Sequence, residues 1–324
     1  MNKIPVIDLS KAMTGSLEDR KAVAREIDEA YKSIGFITVK GHGIDKSVFE
    51  NAYQSLDAFF ALPLDEKYRC TTDVRPCPWQ TNGYSRLLEE NAHKLMGKEG
   101  PGDYVEKFSM GRSVLSDELP LPFPADPSCD GIRQNMKRYY EACIELTNIL
   151  TGLFALVLDL PEDHFVDKVD KSWDNLRLHR YPAIEGLIND QGVAEHKDTD
   201  FLTIVTNVED GMEVLTKEGD WIDVKTDSID QFVINIGDIL QRWSNDEYVS
   251  ILHRVKLTKD PRRSIIFIKG VNMDGLVETF PKFLKDGKSN YEPITYGEFI
   301  SQKAAQMYGK DFLDKGKIDD SPKS

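Results

Sequence analysis

From Asn175 onward the sequence becomes a succession of short β-rich segments separated by turns, and this constrains the fold more than any other feature. Residues 176–181 alternate apolar and polar, and residues 201–208 form an apolar, β-branched run. Segments 212–215 and 221–224 flank Lys217-Glu-Gly-Asp220, which reads as a hairpin turn. Residues 232–236 end at Gly237-Asp238, and segments 249–257 and 264–269 flank Thr258-Lys-Asp-Pro261 as a second hairpin. At least six strands with no helical periodicity between them predict a jelly roll or barrel.

The first half is organised differently. Residues 4–10 read as a strand and turn. Residues 19–34 read as a helix with Val23, Ile27, Ala30 and Tyr31 on one face. A strand over 36–40 ends at Gly41-His-Gly43, and a helix over 46–61 stops near Pro63. This βαβα opening predicts a layer that packs on something larger. Residues 71–127 are rich in Gly and Pro and predict long loops with short strands, of which 71–102 could form a lid. An amphipathic helix is expected over 129–160 and a closing helix over 295–308. The expected organisation is an α/β cap region over 1–115, a β core with its supporting helices over 116–312, and a disordered tail over 313–324.

The formal net charge of −14 predicts repulsion from nucleic acid and anionic membrane. Cys70, Cys77, Cys129 and Cys143 make no CxxC pair, which favours free thiols in a reducing compartment over disulfides. The opening Met1-Asn-Lys-Ile-Pro has no apolar signal region, and no stretch reads as a membrane span. A cytoplasmic monomer acting on a small molecule is the expectation.

Chemistry enters at Ala194-Glu-His-Lys-Asp-Thr-Asp200. On a strand, residues two apart share a face, so His196 and Asp198 can aim an imidazole and a carboxylate at one point with Lys197 turned away. His253, on a later strand, supplies a third ligand. Two His and one carboxylate leave open positions on an octahedral metal, although the same ligands could hold zinc. An HxD pair alone also arises from ordinary core hydrogen bonding. Arg262 and Ser264 again share one strand face, and a guanidinium beside a hydroxyl is a receptor for a carboxylate. Taken alone they could be a surface cation and a sheet-edge hydroxyl.

Several runs resemble the isopenicillin N synthase-like group of 2-oxoglutarate- and iron(II)-dependent dioxygenases, over residues 4–310 or so. Gly35-Phe-Ile-Thr-Val-Lys-Gly-His-Gly-Ile44 is similar to that family's GFFxxxNHGI segment, with Gly41 in place of Asn. Ile4-Pro-Val-Ile-Asp-Leu-Ser10, Phe59-Phe60 with Leu62-Pro63, and Gly83-Tyr84 match its N-terminal half. His196-Lys-Asp198, Gly219-Asp-Trp-Ile-Asp-Val224, Asn235-Ile-Gly-Asp-Ile-Leu-Gln-Arg-Trp-Ser-Asn245, Leu252-His-Arg-Val255 and Arg262-x-Ser264 match the second half in order.

The resemblance implies a distorted double-stranded β-helix, of the jelly-roll, cupin-like class, beneath a helical N-terminal layer. It implies iron(II) on His196, Asp198 and His253, with 2-oxoglutarate and O2 as cosubstrates. Arg262 and Ser264 would hold the distal carboxylate of 2-oxoglutarate. Tyr181 would add a hydrogen bond, since Arg180-Tyr-Pro182 is similar to the end of the family's NxYP segment; His179 stands where Asn is common.

The implied reaction oxidises a C–H bond with release of succinate and CO2, giving hydroxylation, desaturation or ring closure in biosynthetic chemistry. Arg177 alternates with His179 and Tyr181, which suggests a substrate carrying a carboxylate, unless Arg177 pairs with a structural acid. Leu202, Ile204, Trp243 and Phe267 are expected as further pocket neighbours. A 2-oxoglutarate-independent oxidase of the same fold, a non-catalytic ligand-binding jelly roll and a zinc hydrolase are the competing readings.

Overall fold

A computed structural model describes residues 3–71, 82–116, 118, 121 and 123–309 of the chain. Cys77 and the tail over 313–324 lie outside the described residues. Twelve strands build the two sheets that matter for the site: β1 (Val6–Asp8), β2 (Phe36–Lys40), β3 (Gly83–Ser85), β4 (Glu106–Gly111), β5 (Ser172–Tyr181), β6 (Gln191–His196), β7 (Leu202–Thr206), β8 (Met212–Leu215), β9 (Trp221–Asp223), β10 (Phe232–Ile236), β11 (His253–Lys256) and β12 (Arg262–Asn272). The major sheet runs β1-β2-β10-β7-β12-β5-β4-β3 and the minor sheet β6-β11-β8-β9. Together they form the double-stranded β-helix that the family resemblance implied, in agreement with the jelly roll or barrel expected from the strand spacing.

The N-terminal strands do not stay apart from this core. β2 pairs antiparallel with β10, and β4 pairs with β5 across the expected boundary at 115. The helix Leu17–Ile34 starts at a capping box in which Ser16 and Asp19 satisfy each other's backbone N–H groups. It ends where Gly35 takes φ +67°, a conformation that favours glycine. The helix Lys46–Ala61 is capped by Asp45. Both pack on the long helix Ile132–Val157, which begins later than the periodicity suggests because Gly131, at φ +84°, separates it from the short 3₁₀ turn Pro127–Cys129.

That long helix corrects the expectation about membrane spans, since the helical stretch Pro127–Val157 is long and apolar enough to cross one. Here its apolar face is used by the protein itself. Met136, Tyr139, Cys143, Leu146, Leu150 and Leu153 are buried in the main core cluster against the outer face of the major sheet. Two smaller apolar clusters border the space between the sheets: one around Phe36, Val205, Met212 and Val233, the other around Tyr104, Val105, Val193 and Val255.

Two local readings change. The 258–261 turn does not close a hairpin, because β11 pairs with β6 and β8 while β12 pairs with β5 and β7, so the chain crosses from one sheet to the other. A short helix, Asp238–Trp243, interrupts the run of strands after β10. The closing helix Tyr296–Tyr308 forms as anticipated, with a capping box between Thr295 and Glu298.

Candidate metal and cosubstrate site

The register of β6 and β11 sets His196 directly opposite His253, with ring centroids 4.3 Å apart. β6 ends at His196, so Asp198 is not carried on a shared strand face. It sits in the following turn, and Lys197 lines the cavity rather than turning away from it. Bonds that hold the turn include Asp238 N–H to the Asp198 carbonyl at 2.9 Å, Gly237 N–H to the Phe201 carbonyl at 3.1 Å, Ile239 N–H to the Asp200 carbonyl at 3.3 Å, and Ser250 Oγ to the Asp198 carbonyl at 3.3 Å. A Cβ at Gly237 would stand 2.1 Å from the Asp200 carbonyl oxygen, so this close approach requires glycine.

One ligand atom from each of His196, Asp198 and His253 lies within 4.8 Å of the other two. The Nε2 atoms of His196 and His253 are 3.6 and 3.7 Å from Asp198 Oδ1. Each Nδ1 faces a backbone carbonyl, Ala194 at 2.8 Å and Ile251 at 3.2 Å. A carbonyl only accepts, so the proton is assigned to Nδ1 and the Nε2 lone pairs converge. Burial, reinforced by the neighbouring His253, pushes His196 down to about 4 and keeps it neutral, as a metal ligand must be. Burial works against the Asp198 carboxylate, but His253, His196 and a hydrogen bond from Asn235 outweigh it and hold its pKa below the ordinary value. Asn235 Nδ2 donates to Asp198 Oδ2 at 2.6 Å, leaving Oδ1 toward the imidazoles.

Arg262 and Ser264 begin β12 in the opposite sheet and line the same cavity as the three ligands. Arg262 is 2% exposed and, among the described residues, makes no ion pair. Its guanidinium donates to Asn207 Oδ1 and, at 3.4 Å, to Ser264 Oγ, and lies 4.7 Å from the centroid of the Tyr181 ring; its Nε has no partner. A cation buried without a counter-charge costs several kcal/mol or so, which an anion in the cavity would recover. Register places Tyr181 opposite Arg262 and His179 opposite Ser264. His179 Nδ1 is 3.0 Å from the Tyr181 hydroxyl, while its buried Nε2 has no partner among the described residues.

Burial, with Lys107, Arg177 and Arg262 nearby, drives the His179 pKa well below its ordinary value. The unfolded chain therefore takes up a proton near pH 6.5 that the folded chain refuses, and stability is lost as pH falls below 6.5. Compared with His179→Gln, the wild type should lose about 1 kcal/mol more between pH 7 and pH 5.5 in denaturant titrations. Parallel curves for the two proteins would contradict this.

The remaining predicted neighbours divide by strand face. Arg177 and His179 line the cavity. Leu202, Ile204 and Phe267 do not: they point from the other face of the major sheet into the main core. Thr203, Val205, Ile266 and Ile268, one residue out of phase, line the cavity in their place. Trp243 is also corrected, being buried and stacked on Phe165 with centroids 5.8 Å apart. Sequence reasoning assigned no site role to Asn207, Asn235 or the buried Lys107–Glu90 ion pair. Asn235 lies inside the Asn235-Ile-Gly-Asp run, and its alternation with Val233 was the available signal. The helix Tyr296–Tyr308 contributes Ile300, Lys303, Ala304, Met307 and Tyr308 to the cavity wall.

Comparison with known proteins agrees with this geometry. Residues 4–129 match the family described as non-haem dioxygenase in morphine synthesis N-terminal, and residues 172–270 match the 2OG-Fe(II) oxygenase superfamily. The chain is 30% identical to the 2-oxoglutarate-Fe(II) type oxidoreductase ppzC of Metarhizium majus, covering 97% of this chain and 90% of that protein. It is 29% identical to the 2-oxoglutarate-dependent dioxygenase gloF of Glarea lozoyensis, covering 89% and 94%. A full-length Neurospora crassa protein, whose crystal structure was solved in complex with alpha-KG, superposes with a TM-score of 0.82 at 26% identity, covering 93% of this chain and 96% of that one.

Proposed function

The chain belongs to the 2-oxoglutarate- and iron(II)-dependent oxygenases, and from that premise we propose that His196, Asp198 and His253 hold the iron while Arg262, Ser264 and Tyr181 receive the distal carboxylate of 2-oxoglutarate. The enzyme oxidises a small-molecule substrate. The observation that carries the assignment of residues is the pairing of a convergent two-histidine, one-carboxylate set with a buried arginine in the same cavity that has no counter-charge among the described residues. The donor set suits iron(II) with open coordination positions, and the arginine suits a diacid anchored at its far end.

Iron(II) held there would couple the oxidative decarboxylation of 2-oxoglutarate to succinate and CO2, which places one oxygen atom of O2 in succinate, to oxidation of a substrate C–H bond, with the second oxygen atom leaving in the hydroxylated product or as water. The chain's own residues prepare for this. The carbonyls of Ala194 and Ile251 hold the imidazoles in the tautomer whose Nε2 is free. Asn235 orients the carboxylate. Asn207 and the Tyr181 ring fix the guanidinium in place, so that the cosubstrate meets a preset receptor. Apolar side chains of both sheets and the C-terminal helix restrict water around the site. The proposal includes a monomeric, cytoplasmic enzyme, and the net charge of −14 supports independence from nucleic acid and anionic membrane.

The test is spectroscopic. Anaerobic protein with iron(II) should develop a weak visible charge-transfer band only on addition of 2-oxoglutarate, and turnover should release succinate. Iron binding without the band would favour the oxidase that dispenses with 2-oxoglutarate. Asn235→Ala should weaken iron(II) affinity by about 10- to 100-fold without unfolding the chain, because the carboxylate loses its outer partner. Equilibrium dialysis against iron(II) measures this, and an unchanged affinity would remove Asn235 from the site.

A further inference from the structure

We infer that Arg177 recognises an anionic group of the primary substrate, and that this substrate is a small, otherwise apolar molecule carrying one carboxylate. The inference rests on the functional reading above and specifies its substrate class.

Arg177, His179 and Tyr181 follow one another along the cavity-facing side of β5. At about 3.4 Å per residue, position 177 lies some 13 Å along the strand from position 181. β12 repeats the separation, since Arg262 pairs with Tyr181 and Ile266 pairs with Arg177. A short diacid that chelates the metal and reaches Arg262 does not also reach Arg177. Apart from Lys107 and Lys303, which are ion-paired, and Lys197 in the turn beside Asp198, the cavity presents two separate arginine positions, and the cosubstrate accounts for one.

At the second position the charge of Arg177 acts on Glu90 and Asp200 without an ion pair to either. Arg177 Nε donates to Asn175 Oδ1 at 3.2 Å, and the guanidinium makes no ion pair among the described residues. The carboxylates around it are already engaged. Glu90 is bonded by Lys107 and Tyr308. Asp200 is bonded by the Tyr296 hydroxyl and, at 3.2 Å, by Thr199. Lys303, which also lines the cavity, is paired with Asp238 at 2.9 Å. The indole Nε1 of Trp173, four residues back along the same side of β5, is buried without an acceptor among the described residues. Ile266, Ile268, Ile300, Ala304 and Met307 complete the wall and offer side chains only to apolar atoms. A guanidinium without an ion pair among the described residues, set beside apolar side chains of β12 and the helix Tyr296–Tyr308, matches a monocarboxylate on a hydrocarbon body.

The holoenzyme can test this before its substrate is known. Iron(II) protein saturated with 2-oxoglutarate under nitrogen is titrated with 3-phenylpropionate and hexanoate, and with the primary amide of each. Binding is read by calorimetry and by perturbation of the charge-transfer band, whose persistence shows that 2-oxoglutarate stays in place. The acids should bind at least about 10-fold more tightly than their amides, as a charge-assisted hydrogen bond requires. Arg177→Gln should erase that preference, and Arg177→Lys should restore part of it. Equal binding of acid and amide, no binding of either acid, or a preference that survives in Arg177→Gln would overturn the inference. If Arg177→Gln cannot form the band, the wild-type comparison and Arg177→Lys decide. Absence of the band in the wild type is a different failure and falls on the functional reading itself.

Discussion

Asp198→Ala is expected to yield a folded protein whose thermal midpoint no longer rises with iron(II) and whose turnover is lost. Asp198 is the only carboxylate in the three-residue set, and its Oδ1 faces both imidazole Nε2 atoms. Losing an outer partner of a ligand costs about 10- to 100-fold in metal affinity, and losing the ligand itself should exceed that range. At a free iron(II) concentration of about 100 Kd, the wild type gains roughly 2.7 kcal/mol of stability, and the variant should forfeit nearly all of it. The apo fold has less at stake. The substitution leaves Asn235 Nδ2 without its acceptor, a penalty of about 1–3 kcal/mol, but also removes a buried carboxylate. Scanning calorimetry with and without anaerobic iron(II), together with succinate release, separates the two effects. An iron-dependent rise equal to the wild type's would exclude Asp198 as a ligand.

Arg262→Ala should bind iron(II) normally and fail at the cosubstrate. Arg262 is buried, unpaired by any carboxylate among the described residues, and positioned by Asn207, Ser264 and the Tyr181 ring. Truncating one partner of a buried, hydrogen-bonded charge pair costs about 2–5 kcal/mol, so the 2-oxoglutarate Kd should rise by roughly 30- to 5000-fold. Arg262→Lys should recover only part of this, because an ammonium cannot reproduce the planar fork that meets a carboxylate with two parallel bonds. Titration of the charge-transfer band with 2-oxoglutarate measures both variants at fixed iron(II). An unaltered 2-oxoglutarate dependence in Arg262→Ala would place the distal carboxylate elsewhere and reopen the cosubstrate-free oxidase.

What could be read from the sequence was local. The convergence of His196, Asp198 and His253 was legible because His196 and Asp198 are two residues apart and Leu252-His-Arg-Val255 carries its own signature. Arg262 and Ser264 were legible for the same reason. The helix spans 46–61 and 296–308 were legible because caps and periodicity act over a few residues. Even so, the local rule for His196 and Asp198 held for a different reason than strand alternation: β6 stops at His196, and the turn that carries Asp198 is tied down by Gly237 and Asp238, far along the chain.

Strand parity was decided only in three dimensions. β7 is buried along its whole length, with apolar or β-branched residues on both faces, so Leu202 and Ile204 look no more like core than Val205 does. The packing of the helix Ile132–Val157 on one side of the major sheet sent Leu202, Ile204 and Phe267 to the core, and left Thr203, Val205, Ile266 and Ile268 to the cavity. The crossing from β11 to β12 was hidden too, since a turn signal reports that the chain reverses but not which sheet receives it. The sequence by itself determined the class of chemistry, because ligand types and their spacing are carried by short runs. The tertiary structure decided which cavity cations are ion-paired among the described residues: Lys107 meets Glu90 and Lys303 meets Asp238, while Arg262, Arg177 and Lys197 are not, because ion pairing depends on distances between strands and helices that one-dimensional spacing does not contain.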